Sequence, residues 1–210
     1  MTILSHRHRL IFIAIPKVAS HSIRFALRPH LGESDEEQVS LFVRKRIDRP
    51  QFAAQEHGHQ LAREVREAIG PLAWARYVSF AVVRNPWERF VSYVAFMMRH
   101  NGAFERDPRA AMRRVLEHPQ NQSPVHYRAQ SDFVTDVGGE IIVSKICRAE
   151  RLQADFEEVC ARAGLPVLTL EVRNASTHRS YLEYYDDDLR EAVAARYRED
   201  IERFDYRFGD

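Results

Sequence analysis

Two short stretches carry residues suited to holding anions. "PKVASHS" (16–22) places Lys17 just past an apolar run and follows it with small Ala19 and the hydroxyls of Ser20 and Ser22. "RNPWERFVSY" (84–93) places Arg84 just past a second apolar run, with Ser92 about two helical turns beyond Asn85. Where a strand turns into a helix within a few residues, several backbone N–H groups lack intrahelical acceptors and point at one spot. A cation beside that spot completes a pocket for phosphate or sulfate, and the small Ala19 lets the backbone come close. Taken alone, the first stretch reads equally well as a solvated lysine followed by helix-capping serines. A second instance in the same orientation favours two anion sites.

These residues need strands that deliver them to one sheet edge and helices that open there. Short β-rich runs alternate with amphipathic stretches, the pattern of an α/β fold around a central, mostly parallel sheet flanked by helices, in which ligands bind at the carboxyl ends of the strands. "LIFIAI" (10–15) reads as the first strand, and a helix opens near Ser20 and stops before Pro29. "SDEE" (34–37) has the form of a capping box, Ser34 with Glu37, opening a helix through "QVSLFVRKR". "HQLAREVREAIGP" puts Leu61, Val65 and Ile69 on one helical face and stops at Gly70 and Pro71. "YVSFAVV" (77–83) is a second buried strand; Asn85 then caps a helix with Pro86 at its first position and Phe90, Val91, Val94 and Met98 facing inward. Residues 101–135 are polar, with one helix after Asp107 and Pro108, and read as a lid or acceptor-facing insertion. "GEIIVSKI" reads as a further strand, "ERLQADFEEVCARAGLP" as a helix, and "DDDLREAVAARYREDIERF" as one last helix with an acidic first turn. The length of 210 residues fits a single domain over 1–210.

Composition narrows the function. The 31 basic and 30 acidic residues leave a net charge of +1, so nucleic acid is not the expected partner. Cys147 and Cys160 fit neither a zinc site nor a disulfide framework, so no metal is expected and a reducing, cytoplasmic setting is. The first apolar run comes too early for a signal peptide, and none approaches a membrane span.

The two stretches, at this separation and each after a strand, resemble the 5′-phosphosulfate loop and the 3′-phosphate motif of sulfotransferases using 3′-phosphoadenosine 5′-phosphosulfate (PAPS). The resemblance is to the Golgi-type carbohydrate sulfotransferase group, sulfotransferase family 2, and its soluble bacterial relatives. "HGHQLAREVREAIG", "QSDFVTD", "ICRAERLQADFEEV" and "RFDYRFGD" are similar to segments in the same order in that group. The resemblance implies a P-loop-nucleotide-kinase-like fold and sulfuryl transfer to an acceptor hydroxyl, on a saccharide or other small molecule, releasing adenosine 3′,5′-bisphosphate. It assigns Lys17 to the bridging oxygen, Ala19, Ser20, His21 and Ser22 to the phosphate cradle, and Arg84 and Ser92 to the 3′-phosphate. His21 departs from the pattern, which carries Thr or another small residue there. Arg179 and Tyr181 match, more loosely, a loop near the nucleotide.

Such a transfer needs a base for the acceptor proton, and a positioned histidine contributes roughly 10²–10⁴-fold. His59 is the candidate and His57 the second, because "EHGH" precedes a helix between the two motifs, where some relatives carry their basic histidine. A helix-start histidine that merely packs explains His59 nearly as well. Two rivals differ in chemistry. A P-loop kinase or NTPase requires GxxxxGK[ST], which the sequence lacks; a non-catalytic adenosine-bisphosphate binder is what His21 would suggest. Other residues read as structural. Glu88 and Arg89 read as a charged pair on an exposed helix face, Trp87 as core, and Gln130 and Ser131 as a polar loop.

Overall fold

A computed structural model describes residues 1–38, 52, 55, 57–171 and 180–210. In chain order the strands and helices are β1 (Ile3–Ser5), β2 (Leu10–Ile13), α1 (Ser20–Leu27), β3 (Glu36–Glu37), α2 (Ala62–Ile69), α3 (Pro71–Trp74), β4 (Val78–Val83), α4 (Pro86–Met98), α5 (Ala103–Arg106), α6 (Pro108–Glu117), α7 (Ser131–Val134), β5 (Lys145–Arg148), α8 (Leu152–Arg162), α9 (Asp187–Arg196) and α10 (Arg198–Phe204). They divide into two compact units, Met1–Val83 with Gln130–Arg173, and Arg84–Ala129 with Asn174–Asp210.

The first unit is an α/β layer built on a five-stranded sheet of order β3-β1-β2-β4-β5. β2, β4 and β5 run parallel, with Ile13 opposite Ala81 and Val83 opposite Arg148, so their carboxyl ends share one edge. Their Val, Ile and Phe side chains suit a pleated surface buried on both faces. Phe12 stacks on Phe80 at 5.0 Å, and Phe80 meets Phe156 of α8 at 6.1 Å.

The antiparallel half departs from the expected sheet. β1 pairs with β2 as a hairpin and β3 extends the edge. The expected capping box does not open a helix at Ser34: Glu36 and Glu37 pair with β1 instead, and residues 39–46 of that expected helix lie outside the described residues. Asp35 is taken by the hairpin, accepting from Ser5 Oγ at 2.7 Å and from the N–H groups of His6, Arg7 and Gly32 at 2.6, 3.1 and 2.8 Å. Burial opposes its ionisation, yet these bonds together hold its carboxyl below the usual carboxylate range. The third parallel strand also starts later than expected, at Lys145, because Ile141 is drawn into a bridge with Thr135.

The second unit is helical. Asn85 caps α4, accepting from Trp87 N–H at 3.1 Å, while its own amide donates to Arg207 O at 2.9 Å. Phe90, Val91 and Val94 face inward as expected, joined by Phe104, Met112, Val115 and Tyr127 from the 101–135 segment. That segment is therefore core in part. The last helix is broken at Tyr197, whose buried ring packs on Phe90 and Tyr127 with φ −116°. Among the described residues, no helix is long and apolar enough to cross a membrane.

Candidate functional site

In the first unit the chain leaves β2 through Ala14 and Ile15, both fully buried, and enters a loop without glycine in which two residues have left-handed backbones. Lys17 has φ 69° and Ala19 φ 66°, ψ 25°. An L-residue pays roughly 1–2 kcal/mol for that conformation, and such strain persists where the surroundings over-determine it. Two anchors do so here. Val18 is fully buried between the strained residues, and Ser20 Oγ donates to Ile15 O at 2.7 Å, tying the helix start to the strand end. Left-handed residues in a turn gather N–H groups into a concavity for an anion, and α1 opens on it.

The hydrogen-bond direction at Ser20 changes one expectation. Its hydroxyl proton goes to Ile15 O, so what Ser20 offers the loop is its backbone N–H. Lys17 is half-buried and Ala19 exposed. His21 stands on the first turn of α1. Desolvation first, then the charges of Arg24 and Lys17, hold its imidazole below the ordinary value although the residue remains exposed at its surface. Behind it, buried Arg24 pairs through Nε with Glu37 of β3, which also accepts from Arg28 at 3.1 Å.

His59 lies at the same sheet edge. Its Nδ1 is 2.7 Å from Ala14 O, three residues before Lys17. A carbonyl only accepts, so Nδ1 carries the proton and Nε2 is the ring's proton acceptor. His57 has the opposite tautomer: its Nδ1 accepts the His59 backbone N–H at 3.3 Å, which puts the proton of the neutral ring on Nε2. Gly58 between them is required by close approach, since a Cβ there would sit 2.5 Å from Gln38 O.

In the second unit, Arg84 precedes α4 and Ser92 lies, half-buried, two turns along it. Arg84 pairs with Glu88 at 2.6 Å, one turn on. Arg89 corrects the expectation of an exposed charged pair. It is 2% exposed and donates to His126 O at 3.2 Å and Arg128 O at 3.0 Å. Trp87 is core, as read from the sequence, its indole N–H donating to Arg190 O. Tyr181 stands against the C-terminal tail, its hydroxyl accepting from Gly209 N–H at 2.7 Å and its ring meeting Phe208. Arg179 lies outside the described residues.

Further polar residues of the first unit were not assigned a binding part from the sequence. Arg148 ends β5 opposite Val83, and its backbone N–H is held by Asp155 at 2.7 Å. Gln130 and Ser131, read as a polar loop, are fully buried at the start of α7. In the sequence Arg148 reads as the partner of Glu150 in a structural ion pair. Cys147, on the same strand, is no nucleophile: burial pushes its thiol up to about 12. Among the described residues, no group of histidine, cysteine or carboxylate side chains could hold a metal ion.

No curated protein and no solved structure matches the chain. A model of the sulfotransferase family matches residues 1–207, which include both stretches, 16–22 and 84–93. The chain belongs to the sulfotransferase family.

Proposed function

We propose that the protein moves a sulfuryl group from PAPS to the hydroxyl of a small or saccharide-like acceptor, as a cytoplasmic member of the Golgi-type carbohydrate group, with 1–210 as one sulfotransferase domain whose 101–135 segment faces the acceptor. The observation that carries this reading is the strained, glycine-free loop at Lys17 and Ala19, opening onto α1 beside the His59 ring. The residues present fit an anionic donor: left-handed turns that gather N–H groups, a cation at the loop and a hydroxyl at Ser22.

When bound, PAPS supplies the sulfuryl group and departs as adenosine 3′,5′-bisphosphate. The chain's own residues do the rest. Lys17 offers its ammonium where negative charge grows on the leaving phosphate, and such a group lowers the barrier as the charge develops. Ala19, Ser20, His21 and Ser22 hold the 5′ end, Arg84 and Ser92 the 3′-phosphate, with Tyr181 and Arg179 assigned to the nucleotide. His59, holding its proton on Nδ1, receives the acceptor's proton on Nε2. His57 has its Nδ1 lone pair engaged and is the weaker candidate.

Steady-state kinetics with PAPS, following the mass gain of one SO₃ on the acceptor, test these roles. Lys17→Ala lowers kcat by about 10²–10³ with a smaller effect on the KM for PAPS. Ser92→Ala raises that KM about 10- to 100-fold and leaves kcat near the parent value, as for a lost hydrogen bond to a charged group. The reverse ranking overturns the assignment.

A further inference from the structure

Gln60 follows the two histidines and is fully buried. Its Nε2 donates to His57 O at 3.1 Å and to Gln55 Oε1 at 3.0 Å. The amide orientation is set by the His57 carbonyl, which can only accept. That leaves Gln60 Oε1 buried with no hydrogen-bond partner among the described residues. A side chain kept only for stability has no reason to bury an unsatisfied carbonyl, since an apolar residue of the same length would remove that cost.

The surroundings show what the amide holds. Gly58 O accepts from Thr2 N–H at 2.7 Å, Gln60 N–H reaches Thr2 Oγ1 at 3.4 Å, and Thr2 O accepts from Gln38 N–H at 2.9 Å. Gln60 thus grips the carbonyl before Gly58 while Thr2 grips the carbonyl after it. With both peptide groups of the turn fixed, the His59 ring is aimed at Ala14 O. The antiparallel edge of the sheet, which the parallel strands do not need, supplies the Thr2 and Gln38 anchors.

We propose that Gln60 is a positioning residue for His59: by holding the His57 carbonyl it keeps the His59 ring against Ala14 O and so selects the tautomer with its proton on Nδ1. The kinetic part rests on His59 being the base; the tautomer part does not.

The test uses the full chain with ¹⁵N-labelled histidine. Two-bond ¹H–¹⁵N correlation above the histidine titration range reports the His59 tautomer without any sulfuryl transfer. The wild type shows the Nδ1–H form, and Gln60→Met, which keeps the length and loses both donors, shows a mixture with the Nε2–H form. In kinetics Gln60→Met lowers kcat about 10- to 100-fold, the scale of a slightly misplaced catalytic group, with the PAPS KM unchanged. In a His59→Ala background Gln60→Met produces no further loss, because its effect passes through that ring. Thr2→Val, which removes only the Oγ1 acceptor, shifts the tautomer in the same direction and covers the case in which Gln60→Met fails to fold. An unchanged Nδ1–H tautomer in the folded variants, or losses that multiply in the double variant, overturns the proposal. His59→Ala at the parent kcat overturns the base assignment alone, and the tautomer then decides the role of Gln60.

Discussion

Replacing Ala19 with glycine tests the loop by stability rather than activity. Ala19 caps α1 at φ 66°, ψ 25°, with its methyl group exposed, so the substitution removes strain and loses no packing. Relief of the clash between Cβ and the following carbonyl is worth roughly 1–2 kcal/mol. Glycine gives back about 0.5–1 kcal/mol through the freer unfolded chain. The net is a gain of about 0.5–1 kcal/mol, and at about 2–4 °C per kcal/mol for a chain of this size the melting temperature rises by about 1–4 °C. Differential scanning calorimetry reads it directly. Ala81→Gly, in the fully buried middle of β4, is the opposite control and lowers the melting temperature, because there the methyl group packs and the backbone is extended. A drop for Ala19→Gly comparable to that for Ala81→Gly would show that the loop does not hold Ala19 in the left-handed conformation.

Two further substitutions probe charge. Glu88 competes with any anion for Arg84, so Glu88→Gln tightens adenosine 3′,5′-bisphosphate about 2- to 5-fold, the scale of an exposed ion pair; weaker binding, measured by calorimetry, contradicts this. Desolvation and the neighbouring positive charges hold the His21 imidazole of the folded chain below its ordinary pKa, so between the two values the unfolded chain binds more protons. Stability therefore falls as pH drops from about 6.5 toward the folded value, and His21→Gln loses that slope. Urea midpoints over a pH series measure it, and identical slopes for the two proteins refute the assignment.

What the sequence disclosed was mostly local. Asn85 and Pro86 mark the start of α4 because a cap and a fixed φ act within one turn, and Gly70 ends α2 with φ 84° for the same reason. The Lys17 loop was legible as a strand end meeting a helix start, though not its strain, since neither Lys nor Ala advertises a left-handed backbone. Longer-range competition hid the rest. Ser34 to Glu37 has the pattern of a helix start, but Asp35 satisfies a hairpin about thirty residues earlier, and a pairing of two residues with β1 wins. Arg89 looked like a surface charge because its acceptors, His126 O and Arg128 O, lie 37 and 39 residues away. The break at Tyr197 follows from packing of its ring, which helical periodicity does not encode. His59 was legible as a candidate by position; its tautomer depended on Ala14 O, 45 residues earlier.

The central claim is that the strand-end cations hold one adenosine-based donor, Lys17 at its 5′ end and Arg84 at its 3′-phosphate. Isothermal titration of adenosine 3′,5′-bisphosphate into the wild type, Lys17→Ala and Arg84→Ala tests it most directly. The expected result is saturable binding of one nucleotide per chain, weakened at least about tenfold by each substitution, as for a lost charge-assisted contact of about 1.5–3 kcal/mol. Binding that neither substitution alters, or none at all in the wild type, contradicts it.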